Sequence, residues 1–143
     1  ACDIVLAARS ASFVQAFCRL GLIPDAGGTW LLPRVVGRAR AMALSMLGDK
    51  ISAEKAEQWG MIWQCVDDDQ LMDEANKLVE HLAKQPTKGM GFIKRALNAS
   101  SENDLQTQLD LERDLQDEAG NSHDFKEGVS AFTEKRAPDF KGH

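Results

Sequence analysis

Leu20-Gly21-Leu22-Ile23-Pro24-Asp25-Ala26-Gly27-Gly28-Thr29 is the stretch on which the reading of this chain turns. Glycines and a proline are set among apolar residues, which is turn chemistry, and Trp30-Leu31-Leu32-Pro33-Arg34-Val35-Val36 continues as a helix. Asp25 is the one carboxylate of the stretch. Two local roles are open to it: a proton-transferring base in an apolar setting, or an N-cap for the helix that follows. Burial would raise its pKa and a helix N-terminus would lower it, and the sequence leaves that balance open. Gly27-Gly28 likewise reads either as a backbone cradle for an anion or as a tight turn that lets the helix pack closely.

Upstream, Ile4-Val5-Leu6-Ala7-Ala8 is an apolar run bounded by Arg9 and Ser10, the pattern of a strand covered on both faces. A second strand is expected from Ser12 to Phe17. The opening Ala-Cys-Asp leads into this strand without a starting Met, and is read as the sign of a missing preceding portion. Downstream, a helix is expected from Thr29 to Val36, with Pro33 tolerated near its start and Gly37 ending it. Another runs from Arg38 to Leu47 and stops at Gly48. Ser52 caps a third, which ends before Gly60, and Met61 to Val66 reads as a short strand.

Beyond the acidic run Asp67-Asp68-Asp69 the texture changes. Leu71, Met72, Ala75, Leu78, Val79 and Leu82 recur with the period of one helix face, and Pro86 ends that helix. Thr87 is placed as the cap of the next, with Met90, Ile93, Ala96 and Leu97 inward. Ser100 or Ser101 begins a helix containing Leu105, Leu109, Leu111 and Leu115, and the last starts near Ser122 with Phe125, Val129 and Phe132. The chain therefore divides near residue 67, into a mixed α/β part over 1–66 and a helical part over 67–143.

At 143 residues and 43% hydrophobic content, one packed core is within reach. Seventeen Lys and Arg against 22 Asp and Glu leave a net charge of −5, the wrong sign for a general phosphate-backbone binder, so no nucleic acid is expected as partner. Cys2, Cys18 and Cys65 form neither a CxxC pair nor a disulfide framework, which suits a reducing cytoplasm. No apolar run approaches the roughly 20 residues of a membrane span, so no membrane partner is expected.

There is no GxGxxG, P-loop, HExxH, GxSxG or paired Cys/His spacing. No metal and no separate cofactor are expected, and His81, His123 and His143 read as surface groups. The segment from Glu102 to Glu118 holds seven acids against Arg113 alone, a solvated helix face. The tail reverses sign with Lys126, Lys135, Arg136 and Lys141. These cations suit either salt bridges across an oligomer interface or the phosphates of a nucleotide-bearing ligand.

Taken with Leu32-Pro33-Arg34-Val35-Val36-Gly37, Ala41, Gly48, Ser52-Ala53, Ala56 and Gly60, the opening stretch resembles the central motif of the enoyl-CoA hydratase/isomerase (crotonase) family. Lys126-Glu127-Gly128-Val129-Ser130-Ala131-Phe132, continuing through Lys135-Arg136 to Pro138 and Phe140, is similar to that family's C-terminal signature. The two motifs stand in the right order and the resemblance covers essentially the whole chain.

The resemblance implies an α/β fold: the C-terminal part of a crotonase (ClpP/crotonase-like) ββα spiral over 1–66, followed by a helical trimerisation region over 67–143. It implies roughly a hundred further residues ahead of the opening strand, in keeping with ordinary domain sizes. It implies an acyl-CoA substrate, with coenzyme A part of the substrate and no further cofactor, and a homotrimer or dimer of trimers, with another crotonase-family enzyme a candidate companion. Both backbone N–H donors for the thioester enolate would lie outside this chain, so the fragment alone is expected to be an inactive assembly module.

Family hydratases carry a catalytic glutamate at the position of Phe17, which cannot move a proton. Asp25 after Pro24 resembles the isomerase branches in which a single acid acts alone. Gly21 to Asp25, Gly27 to Arg34 and Trp59-Gly60-Met61-Ile62-Trp63 are most similar to the branch that isomerises ring-epoxidised phenylacetyl-CoA. The resemblance thus makes Asp25 the catalytic residue, places Phe17 and Trp30 in contact with the acyl-CoA, and places Lys135 where the C-terminal helix reaches the CoA moiety of a neighbouring subunit. A hydratase using an upstream glutamate is the alternative.

Overall fold

The computed structural model describes residues 2–143. In order, they form β1 (Leu6–Ala8), β2 (Ser12–Phe13), a 3-10 helix (Ala16–Leu20), α1 (Gly28–Val36), α2 (Arg38–Leu47), β3 (Ile51–Ser52), α3 (Ala53–Gln58), β4 (Gln64–Val66), a 3-10 turn (Asp68–Gln70), α4 (Leu71–Ala83), α5 (Thr87–Ala99), α6 (Leu105–Gly120) and α7 (His123–Glu134). The chain divides into two compact units, one running to Asn76 and one over Lys77–His143. The change of texture at residue 67 follows the end of β4 at Val66, whereas the division between the units falls later, within α4.

In the first unit, β1 pairs in parallel with β4, Leu6 opposite Gln64 and Ala8 opposite Val66. Parallel strands need a crossover, and α1 to α3 supply it. β2 pairs antiparallel with β3. The expected strand over 12–17 stops at Phe13, because β3 offers two residues of ladder before Ser52 caps α3 by accepting the Lys55 amide at 3.2 Å. Residues 16–20 instead wind into the 3-10 helix, which closes on Gly21 at φ 71°. The strand expected from Met61 begins at Gln64, since the Met61 amide is taken by the Ala56 carbonyl at 2.9 Å as α3 ends. β1 is likewise shorter than its apolar run, and Ala7 alone of Ile4 to Ala8 is fully buried.

Ala53 and Ala56, both wholly buried, pack with Ala7 and Ile62 between α3 and the strands. Leu32, Val36, Ala41 and Leu44 form a second cluster between α1 and α2. α1 begins at Gly28, so Pro33 stands mid-helix rather than near the start, where it forfeits the bond to the Thr29 carbonyl. Gly48 ends α2 at φ 66°, and a Cβ there would lie 2.9 Å from Cys18 Sγ, so the 3-10 helix lies against the end of α2.

In the second unit, α5 packs on α6, and α6 on α7. Thr87 is the first residue of α5 and makes no cap bond. Ser100 and Ser101 do not open α6: their hydroxyls donate back to the Leu97 and Asn98 carbonyls at 2.7 and 3.1 Å, finishing α5, and Asp104 caps α6 by accepting the Thr107 amide at 2.8 Å. Two residues expected inward are outward within this unit, Ile93 at 61% and Leu97 at 67% exposure, because each helix meets its neighbour along only part of its apolar face, and Phe132 on α7 is likewise exposed. After α7 the chain runs back along it as a strap. The Lys141 and Gly142 amides donate to the buried Asp124 carboxylate at 2.7 and 2.8 Å, and the Asp124 amide donates to the His143 carbonyl.

Candidate active site

Asp25 opens a four-residue turn. Ala26 and Gly27 both have positive φ, 48° and 81°, and the Gly28 amide donates to the Asp25 carbonyl at 2.7 Å, the pattern of a type I′ turn. Gly27 is the N-cap of α1 and no side chain caps that helix. The N-capping role weighed for Asp25 is therefore corrected: the turn puts Ala26 and Gly27 between the carboxylate and the helix, too far back to reach its first amides. Gly27-Gly28 acts as a tight turn, since the Gly28 amide is already engaged and a Cβ on Gly28 would come within 3.2 Å of Pro24 Cβ. The Asp25 carboxylate is exposed and makes no hydrogen bond or ion pair with another described residue.

Phe17 is half-buried on the 3-10 helix, and its carbonyl accepts the Leu22 amide at 3.0 Å, which folds the apolar loop back towards it. Trp30, near the start of α1, is 42% exposed. The Arg34 guanidinium lies 3.8 Å from its ring centroid while Nη1 donates to the Trp30 carbonyl at 2.9 Å, so the cation both stacks on the indole and fixes the first turns of the helix. Phe17, Asp25 and Trp30 thus share one segment of the first unit, tied together by the Leu22 to Phe17 and Gly28 to Asp25 bonds.

Lys135 belongs to the second unit. It ends α7 in the left-handed conformation, φ 54° and ψ 39°, and is exposed. Of the basic tail, Arg136 and Lys141 are engaged inside the chain: Arg136 with Glu127 and Glu134, Lys141 Nζ with Asp139 at 2.7 Å. The Lys135 ammonium has no ion pair among the described residues. The Arg136 fork and the Asp139 amide hold the Glu127 carboxyl down at about 2. Burial pushes Asp124 upward, but the Lys141 and Gly142 amides and His123 outweigh it and leave the group below its ordinary value.

The docking of the strap by Asp124 and Glu127 was not read from the sequence, where the pairing of Glu127 with Arg136 across the end of α7 carries no local signal. The acidic run has a structural role as well. Arg9 Nε pairs with Asp67 at 2.8 Å, Arg9 also bonds Glu54, and the Ser10 amide donates to Asp68 at 2.9 Å, fastening the end of β1 to α3 and to the residues after β4. On α6, Arg113 pairs with Asp110 and Asp114 at the surface, as a solvated face would.

The family model for enoyl-CoA hydratase/isomerase matches residues 1–143. The chain belongs to the enoyl-CoA hydratase/isomerase family. Among the family's members, it is 65% identical over 140 residues to the 1,2-epoxyphenylacetyl-CoA isomerase of Escherichia coli (strain K12), covering 98% of this chain and 53% of that one. It is 50% identical over 142 residues to a probable enoyl-CoA hydratase of Rhodobacter capsulatus, covering 99% and 55%. An enoyl-CoA hydratase from Bacillus anthracis superposes with a TM-score of 0.94 at 35% identity, covering 99% of this chain and 55% of that structure. The chain spans about half the length of the curated relatives it matches, and its fold is that part of the crotonase fold.

Proposed function

We propose that the whole protein is a CoA-thioester isomerase and that Asp25 transfers the proton. A single observation carries this reading: an exposed carboxylate with no partner among the described residues, held after Pro24 by a tight turn, on the same segment as a phenylalanine that cannot take part. Isomerisation suits one such group. As carboxylate it removes a proton beside the thioester carbonyl, and as the resulting acid it returns that proton to another carbon, with no water to activate. Phe17 and Trp30 supply apolar surface for the acyl chain, and Lys135 supplies a cation for a phosphate of the coenzyme A bound by a neighbouring subunit.

The 65% identity to 1,2-epoxyphenylacetyl-CoA isomerase supports conversion of that epoxide to the oxepin thioester as the reaction, with the shift of a 3-enoyl thioester to the 2-enoyl form as a related activity. No cofactor beyond the coenzyme A of the substrate belongs to the proposal, and the cytoplasm is the proposed location. The likeness to a probable enoyl-CoA hydratase favours hydration as the second reading. A homotrimer or dimer of trimers is proposed as well, supported by the exposed Phe125, Val129 and Phe132 on α7. The 143 residues by themselves are proposed to be inactive.

Asp25→Asn in the protein expressed from its full reading frame tests the mechanism. Isomerisation of the epoxide and of a 3-enoyl-CoA is expected to fall by about 10²- to 10⁴-fold, the usual share of a general base, with folding unchanged. Normal turnover by the variant, or water addition to a 2-enoyl-CoA as the main activity, would remove the isomerase reading.

A further inference from the structure

Among the described residues, the non-glycine positions with positive φ are Ala26, beside Asp25, and Lys135 itself. A left-handed lysine persists where its surroundings over-determine it. At the end of α7, the Lys135 amide donates to the Phe132 carbonyl at 3.3 Å and the Arg136 amide to the Ala131 carbonyl at 3.0 Å, which closes the helix on a left-handed residue. The Arg136 guanidinium is then gripped from α7. Nη1 and Nη2 donate to the two oxygens of Glu127 at 2.6 and 2.9 Å, and Nε to Glu134 at 2.7 Å. Glu127 also accepts the Asp139 amide at 2.8 Å, so one carboxylate anchors the chain at two points after the reversal.

Lys135 thus stands at the apex of a reversal fastened on both sides. The planar arginine fork is spent inward on carboxylates, which it fits, and the lysine beside it is left exposed and without an ion pair among the described residues. We infer that Glu127 and Arg136 are positioning residues for Lys135: the clamp fixes the backbone from which its ammonium reaches a phosphate of a nucleotide-bearing ligand. Fixing the backbone beforehand lowers the ordering cost that a flexible lysine would otherwise meet on binding. This inference rests on the reading of Lys135 as a contact to coenzyme A.

Coenzyme A is titrated by calorimetry into the full-reading-frame protein and its Lys135→Met, Arg136→Lys and double variants. Lys135→Met is expected to weaken binding about threefold to fivefold, the scale of one exposed charge contact. Arg136→Lys keeps the charge but loses the fork; it is expected to weaken binding by a similar factor and to add nothing in the double variant, because both changes remove one contact. In turnover it raises KM and leaves kcat in place. Glu127→Gln repeats the test from the other side of the clamp, should the lysine variant lose its helical spectrum. Wild-type affinity in Arg136→Lys, or factors that multiply in the double variant, would overturn the positioning role and leave Lys135 as a contact. Wild-type affinity in Lys135→Met would remove both.

Discussion

The Gly28 amide donates to the Asp25 carbonyl at 2.7 Å, and this bond sets Asp25 ahead of α1 instead of at its cap. A side chain on an N-cap spends its oxygens on the helix, whereas one held before the turn keeps them free. The turn that closes on this bond places an alanine at φ 48°.

That alanine can be exchanged predictably. Asn tolerates the left-handed region where alanine does so at a cost, so Ala26→Asn is expected to raise stability by about 0.5 kcal/mol, and Ala26→Val to lower it by about 1–2 kcal/mol. Urea midpoints at unchanged m-value read both. Equal midpoints for the two variants would mean that the turn does not hold its left-handed form in solution.

Gly48 joins two constraints. It ends α2 at φ 66°, and a Cβ there would lie 2.9 Å from Cys18 Sγ and 3.1 Å from Arg19 Nε. Gly48→Ala is expected to cost about 1–2 kcal/mol and to loosen the segment that carries Phe17. Amide exchange of residues 16–21 should quicken in step with the loss of stability.

The start of α6 separates two candidate caps. Asp104 accepts the Thr107 amide at 2.8 Å, while the Ser100 hydroxyl donates back to Leu97. Asp104→Ala is expected to cost about 1 kcal/mol and Ser100→Ala less than about 0.5 kcal/mol. Thermal melts of both variants decide it, and a larger loss in the serine variant would contradict the cap.

The strap should resist acid. Glu127 is held at about 2 in the fold against an ordinary 4.5, chiefly by Arg136, and Asp124 is also held below its ordinary value. A carboxyl depressed in the folded state adds stability that is present above its unfolded pKa and lost as pH falls through the folded one. The amide resonance of Asp139, which donates to Glu127, is therefore expected to keep its docked position as pH drops through 4.5 and to shift only near 2, while those of Lys141 and Gly142, which donate to Asp124, should shift below the ordinary range of an aspartate. Movement centred at 4.5 would show that the clamp is absent.

Much of this was legible locally. Ser52 and Ser122 cap their helices as their positions indicate, accepting the Lys55 and Phe125 amides, and Gly48 stops α2. These features depend on neighbours within a few residues, which one stretch of sequence contains. The same holds for the segment around Asp25, whose glycines and proline announce a turn.

What local pattern could not supply is where pairing and docking stop. Ser12 to Phe17 has the character of a strand, but β3 lends it a ladder of only two residues, so the rest winds into a 3-10 helix. Ile93 and Leu97 keep the period of a buried face and stay exposed within their unit, since burial depends on what lies opposite. The apolar periods marked the helices of the second half and the two motifs carried the resemblance that implies the fold, because each period and each motif is written in residues close together in the chain. The left-handed placement of Lys135, the grip of Glu127 on Arg136 and the docking of the strap on Asp124 were decided by tertiary structure, because each joins groups that meet only after α7 has formed and the chain has folded back along it.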